Sequence, residues 1–361
     1  MSLKVGIVGA AGYAGAELIR LVLGHPEFEL VAITSNADAG QPLSAVYPSF
    51  AGVSDLVFTT HDAPELKSCD AVFLAVPHTA AMAQVPALLA SGVSCFDLSA
   101  DYRLNDASVF ETWYAAEHTS PELLKTRAFG LPELFCRDLE TAASDHADGK
   151  PVLVACAGCY PTATSLAAAP AVRAGWVAEN GPVIVDAISG VTGAGKSCNA
   201  RTHFCSADEN LEAYGVGKHR HTPEIEQILD LTDRVVFTPH LAPLKRGLLS
   251  TVTMPLAPQA LDALALEDVV DHYKKFYAGR SFVRVLDAGQ QPKTASVVGT
   301  NAAQIGLALN KRAGVLVTTA LSTICARVLR ARRSSAPTSF LALTSDEACP
   351  QWRARCSTFD C

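Results

Sequence analysis

The stretch Leu3-Lys-Val-Gly-Ile-Val8, followed by Gly9-Ala-Ala-Gly12-Tyr-Ala-Gly15 and the run Ala16–Gly24, decides the fold of this chain. Lys4–Val8 reads as a short β-branched strand, the glycines as a turn, and Ala16–Gly24 as a helix. In that order the three make a phosphate cradle. Gly9 permits the tight turn, Gly12 lets the backbone approach a pyrophosphate, and Gly15 lets helix and strand pack closely. Ala11, Tyr13 and Ala14 complete the cradle. A plain βα turn with incidental glycines is the bland alternative, but the strand before and the helix after favour a dinucleotide.

Working outward, further βα units follow. Phe28–Thr34 is the next strand, and it runs into Ser35-Asn36 where an acid would grip the ribose 2′-hydroxyl of NAD. Ser35 and Asn36 leave room for a 2′-phosphate and point to NADP, with Asp38 read as a loop residue. Asp70–Val76 is a buried-type strand ending in Pro77-His78-Thr79, with a helix expected over Ala80–Ala90. Ser94–Leu98 is another strand, ending in Ser99. Ligands gather at the carboxyl ends of such strands, so Val76, Pro77 and Ser99 join the expected cofactor set. His78 is as readily a loop cap as a functional group. The class is α/β, with a Rossmann-type dinucleotide-binding domain first. Thr141–Lys150, rich in Ala, Asp and Gly, reads as a surface loop.

Composition bounds the rest. At 361 residues the chain is long enough for about two domains, and 49% hydrophobic against 18% charged residues supports a sizeable core. A net charge of −7 argues against a general nucleic-acid or membrane-surface binder. No apolar run approaches the roughly 18–20 residues of a membrane span, and no signal peptide is visible, so a cytoplasmic location is expected. The 11 cysteines are then expected to be mostly thiols. Cys156 and Cys159 form a CxxC without a second pair at zinc spacing, so no metal site is expected.

The chemistry lies in the middle. Ala157-Gly158-Cys159-Tyr-Pro-Thr162 follows the strand Pro151–Ala155 and precedes a helix from about Ala163 to Ala174. Cys159 therefore stands at or near a helix N-terminus, where the dipole and amides favour a thiolate. Cys156, on the strand side, reads as structural. Gly217-Lys-His219-Arg-His221-Thr-Pro-Glu224 offers two histidines two residues apart. If the segment is extended, both imidazoles face one side and either can serve as acid/base; His221 could equally cap the helix beginning near Pro223. Ser189-Gly190-Val-Thr-Gly193-Ala194-Gly195-Lys196 lacks the spacing of a nucleotide-hydrolysing phosphate loop and is read as a glycine loop beside the cofactor.

Five motifs taken together, Gly9–Leu18, Ala100-Asp-Tyr-Arg103, Gly158–Thr162, Ser189–Gly195 and His219–Ile225, closely resemble the N-acetyl-γ-glutamyl-phosphate reductases of arginine biosynthesis. The match runs in order through about Ala320. One departure is Ala157, where that family often has proline. The resemblance implies NADPH-dependent reduction of an acyl phosphate to an aldehyde, with a thioester on Cys159 and release of phosphate. For that chemistry His219 is the preferred acid/base and His221 the runner-up, since sequence does not separate two imidazoles on one face; Ser189, Gly190, Gly193 and Ala194 are read beside NADP, and Arg103, Arg201 and Tyr214 are candidates for substrate groups. The resemblance also implies an α+β catalytic and oligomerisation domain with a mixed sheet, assembled as a dimer or tetramer. The expected division is 1–155, 156–315, a partial return to the first domain over 316–333, and a tail from 334. A reductase for aspartyl or aminoadipyl phosphate is the nearest alternative, and a non-catalytic NADP-binding protein the other.

Residues 321–361 are of a different kind: they hold four of the cysteines and six arginines against three acids, a net +3 that leaves the preceding 320 residues at −10. After Val317-Thr-Thr-Ala320 members of that family typically continue with a segment like Ile-Asp-Asn-Leu-x-Lys-Gly-Ala-Ala-Gly-Gln-Ala. Codons for that segment, with Cys at x, give Ser322–Arg333 as they stand here when read one base late. A one-nucleotide shift near Ala320–Leu321 is the resulting expectation, with poor order from about Ser334.

Overall fold

The computed structural model describes residues 2–322, in which the chain divides into two compact units. The first contains the residues up to Glu111 together with Ala116–Cys156; the second contains Thr112–Ala115 and the described residues from Ala157 onward.

In the first unit six strands form one sheet: β1 (Leu3–Val8), β2 (Phe28–Thr34), β3 (Ala71–Leu74), β4 (Ser94–Asp97), β5 (Ala128–Gly130) and β6 (Leu153–Cys156). All pairings are parallel, in the order β2-β1-β3-β4-β6-β5. Every residue of β3, β4 and β6 is buried, as parallel strands covered on both faces require. The chain leaves β1 toward β2 on one side and returns to β3 on the other. That reversal is the switch point where a doubly wound sheet opens a crevice. The helix Tyr13–Leu23 buries Leu18, Ile19 and Val22 in a core shared with Val5, Ile7, Ile33, Phe73 and Phe96.

Two elements differ from the sequence reading. The expected helix over Ala80–Ala90 is broken into a 3-10 turn, Ala81–Ala83, and a helix, Val85–Ala90. Pro86 stands in the first turn of that helix, where a missing amide costs no hydrogen bond. Most of Thr141–Lys150 is not a loop but the end of the helix Cys136–Ala147. Leu139, Ala142 and Ala143 recur at helical spacing and pack on the core, and Gly149, at φ 79°, follows the helix end.

The second unit holds a seven-stranded mixed sheet: β7 (Val183–Gly190), β8 (Glu212–Ala213), β9 (Val235–Ala242), β10 (Leu248–Pro255), β11 (Val283–Val285), β12 (Ala303–Asn310) and β13 (Val315–Ser322), in the order β11-β12-β13-β10-β7-β9-β8. Burial alternates residue by residue along β10, so one face is the core face. The helix Cys159–Arg173 joins that core, and the helix Leu266–Phe276 is tied to it where Tyr273 donates to the Ala167 carbonyl at 2.9 Å. Residues 316–322, expected to begin a return to the first domain, instead complete β13 between β10 and β12. Leu316, Thr318 and Ala320 are fully buried there, which explains the alternating run that the sequence reading cut in two. The rest of the expected return, 323–333, and the tail lie outside the described residues. Among the described residues no helix is long and apolar enough to cross a membrane.

Candidate active site

The glycine turn after β1 has the geometry that its residues imply. Gly9 lies at φ +77°, and a Cβ there would stand 2.4 Å from the Ala75 carbonyl oxygen. A Cβ on Gly15 would meet Ala10 Cα and the Gly9 oxygen at 2.6 Å, so helix and strand approach too closely for any side chain. Gly12 differs: its nearest neighbour would be 3.5 Å away, and it is the N-cap of Tyr13–Leu23 without a side-chain cap or an acid in the first turn. The Ala11 carbonyl is held by the Tyr47 hydroxyl at 2.8 Å. A rigid turn, an open Gly12 and an uncapped helix start fit a dinucleotide pyrophosphate, with Tyr13 and Ala14 in the first turn.

At the carboxyl end of β2, Ser35 donates to Asp38 at 2.6 Å and the Asn36 side-chain oxygen accepts the His61 amide at 2.9 Å. Asp38 lies in the turn after β2, a loop residue as read, and is tied there to Ser35. Val76 and Pro77 follow β3. Ser99 follows β4 but is 1% exposed, and its hydroxyl donates to Asp97 at 2.9 Å, which gives it a supporting role at this edge. His78 accepts the Ala100 amide at 3.1 Å, as a loop cap does. Sequence reasoning missed Asp101 as a separate device. Its buried carboxylate accepts the amides of Thr79, Ala81 and Met82 at 2.6, 2.9 and 3.1 Å, and so holds Thr79 at φ 73°, a strained setting for a β-branched residue. Burial, and Asp101 beside it, push the Asp97 carboxyl up to about 7.

Arg103, expected on substrate, also has a structural place. It is 5% exposed and donates to the carbonyls of Cys156 and Leu98 at 2.8 and 2.6 Å, bracing the end of β6. Burial pushes the Cys156 thiol up to about 12, in keeping with a structural cysteine. None of the seven cysteines among the described residues forms a disulfide.

In the second unit Cys159 is the first residue of its helix, which begins four residues earlier than the sequence reading placed it. Gly158 is the N-cap, and Pro161 falls in the first turn, where it needs no amide partner. The Gly158 amide donates to Glu224 at 2.8 Å and the Thr162 amide to the Gly158 carbonyl at 2.9 Å.

The two histidines do meet, but through a turn. His221 is helical in conformation, so the segment is not extended there; it stands at the N-cap of Thr222–Leu229, as the capping alternative had it, without a side-chain bond. The rings are 4.9 Å apart, and the His221 amide donates to His219 Nδ1 at 3.1 Å, which leaves the neutral ring's proton on Nε2. His219 is boxed edge-on by Phe237, Tyr214 and Tyr160, at 5.1, 5.4 and 5.8 Å between centroids. This burial, with Arg220 alongside, pulls the imidazole down to about 4. The Tyr214 hydroxyl donates to that of Tyr160 at 3.3 Å, and Tyr160 to the His240 carbonyl at 3.2 Å. Arg201 stacks on Tyr214 at 5.5 Å and pairs with Glu212 at 3.1 Å. Tyr160 and Phe237 were missed as site residues: Tyr160 adjoins the cysteine in sequence, whereas Phe237 is brought in only by β9. Ser189 and Gly190 end β7, and Gly193 and Ala194 lie in the 3-10 turn after it. Gly190 is required by a close approach, since a Cβ would stand 2.6 Å from the Leu244 oxygen.

The depressed His219 value has a consequence for stability. The folded state disfavours the imidazolium, so its stability is complete above the ordinary value of 6.5 and falls as pH drops from 6.5 toward 4. Urea midpoints measured between pH 7.5 and 4.5 should show this loss, and His219→Gln should remove that part of it.

Residues 4–142 match the semialdehyde dehydrogenase NAD-binding domain and residues 159–322 the semialdehyde dehydrogenase dimerisation domain. N-acetyl-γ-glutamyl-phosphate reductase of Symbiobacterium thermophilum is 45% identical over 317 residues, spanning 86% of this chain and 87% of that protein. The chain belongs to the N-acetyl-γ-glutamyl-phosphate reductase family. The enzyme of the same name from Syntrophobacter fumaroxidans is also 45% identical, over 86% of this chain and 88% of its own. Aspartate semialdehyde dehydrogenases from Vibrio cholerae, complexed with ASA, and from Candida albicans, with NADP, share the fold. Their TM-scores are 0.66 and 0.65, at 12% and 16% identity, over 91% of this chain and 94% and 96% of theirs.

Proposed function

We propose that the chain reduces N-acetyl-L-glutamyl 5-phosphate to N-acetyl-L-glutamate 5-semialdehyde with NADPH, releasing phosphate, in arginine biosynthesis. The observation that carries this reading is Cys159 at the first position of a helix, in one unit with a neutral, aromatically boxed His219. A neutral imidazole near pH 7 can accept the thiol proton. The Cys159 thiolate then attacks the acyl carbon, and His219 hands its proton to the departing phosphate, leaving a thioester. NADPH supplies the hydride that reduces the thioester carbonyl carbon. The helix start that carries Cys159 supports the resulting oxyanion, which collapses to aldehyde as Cys159 leaves and regains a proton from water through His219. His221 backs His219, and Tyr214 and Arg201 are proposed to line the substrate side.

NADP is proposed to rest on the Gly9–Gly15 turn, with Ser35 and Asn36 at its ribose. The exposed Ile184 and Val236, register neighbours on β7 and β9, support assembly of a homodimer or tetramer through the open sheet face. The cytoplasm is the proposed location, and Leu321–Cys361 the proposed out-of-frame segment. The assay is run in reverse: NADP reduction should require both phosphate and N-acetylglutamate semialdehyde. Aspartate semialdehyde, which lacks the acetamido group, should be poorer by on the order of 10²-fold or more in kcat/KM. Equal rates would favour the aspartyl alternative.

A further inference from the structure

Glu224 takes no part in the steps above, yet it is built firmly into the site. It is the third residue of the helix Thr222–Leu229 and 1% exposed, and its Oε1 accepts the Gly158 amide at 2.8 Å. Gly158 is the N-cap of the helix that Cys159 begins. A buried carboxylate is costly unless it is satisfied, and this one lies against the amide-rich starts of two helices, both of which favour negative charge. One side chain thus joins the turn that presents Cys159 to the helix start that follows His219 and His221. We propose that Glu224 is a positioning residue, which sets the Cys159 thiol relative to the histidines by holding the Gly158 amide, while its charge offsets the pull of the helix on the thiol proton. This rests on the reading of Cys159 as nucleophile.

Glu224→Gln keeps an acceptor for Gly158 and removes the charge; Glu224→Ala removes both. Neither alters Tyr160 and Tyr214, whose hydroxyls interact electrostatically with Cys159, nor the histidines and arginines around them, His219, His221, Arg201 and Arg220. Removing a nearby negative charge lowers a thiol pKa. The measurement is the pH profile of Cys159 alkylation by iodoacetamide, followed by peptide mass spectrometry, together with kcat and the KM for NADPH. For Glu224→Gln the alkylation midpoint should fall by about one pH unit, with kcat within ~10-fold of the parent. For Glu224→Ala kcat should fall by about 10²-fold at unchanged KM for NADPH, as expected of lost positioning. Parental alkylation profiles and kcat in both variants would overturn the proposal. If Glu224→Ala does not fold, Glu224→Gln decides: a lowered midpoint supports the role and an unchanged one overturns it. Cys159→Ser keeps the two readings apart. Full turnover in that variant would remove the nucleophile itself, whereas its inactivity beside parental Glu224 variants would remove only the role of Glu224.

Discussion

Replacing Cys159 with alanine should lower turnover by roughly 10⁴-fold or more, the scale on which a covalent nucleophile acts. The direction follows from placement. The thiol opens a fifteen-residue helix with no acid in its first turn, and the His219 box sits in the same unit. A serine there keeps the shape but supplies a hydroxyl in place of a thiol, and should restore little. NADPH affinity, read by fluorescence titration, should be unchanged in both variants, because the glycine turn belongs to the other unit. A fall in cofactor affinity that matched the fall in turnover would assign Cys159 a structural role instead.

The second large effect is expected at Gly9. Alanine there must adopt φ +77°, which costs about 1–2 kcal/mol for an L-residue, and must place a Cβ 2.4 Å from the Ala75 oxygen. Overpacking of that kind adds about 1–3 kcal/mol, so a loss of roughly 2–5 kcal/mol in urea denaturation is expected, with NADPH binding weakened as the turn shifts. Gly12→Ala is the control. Its Cβ has its nearest neighbour at 3.5 Å and its φ is −77°, so stability should stay within about 1 kcal/mol. NADPH affinity should still fall, because the methyl would occupy the approach of the pyrophosphate. Similar losses of stability in both variants would contradict the division of labour among the three glycines.

That division could be read in part, because Gly15 acts on residues close to it in the chain, Gly9 and Ala10, within one turn and one helix start. The crowding of Gly9 is different: its nearest neighbour is Ala75, after β3 and 66 residues away, and only the positive φ that its turn demands was local. That Cys159 stands at or near a helix N-terminus was legible, although the helix starts four residues earlier than read. Elements whose partners are distant were not. The strand Val315–Ser322 was divided because Thr318 finds its neighbours at Val252 and Leu307, far away in sequence. The helix Cys136–Ala147 was hidden by polar residues on its outer face, with few apolar ones turned inward. Glu224 stood in a quoted motif, but nothing local says that its carboxylate meets an amide 66 residues earlier. For Arg103 a cation in a motif suggested an anion, and nothing local showed that its guanidinium also holds the carbonyls of Cys156 and Leu98.

The central claim is a covalent acyl-enzyme on Cys159. Mixing the protein with N-acetylglutamate semialdehyde and NADP without phosphate, quenching in acid, and mapping peptides by mass spectrometry tests it most directly. The account predicts an N-acetylglutamyl adduct on the Cys159 peptide, lost when phosphate is added and absent in Cys159→Ala. An adduct on another residue, or undiminished turnover in Cys159→Ala, would contradict it.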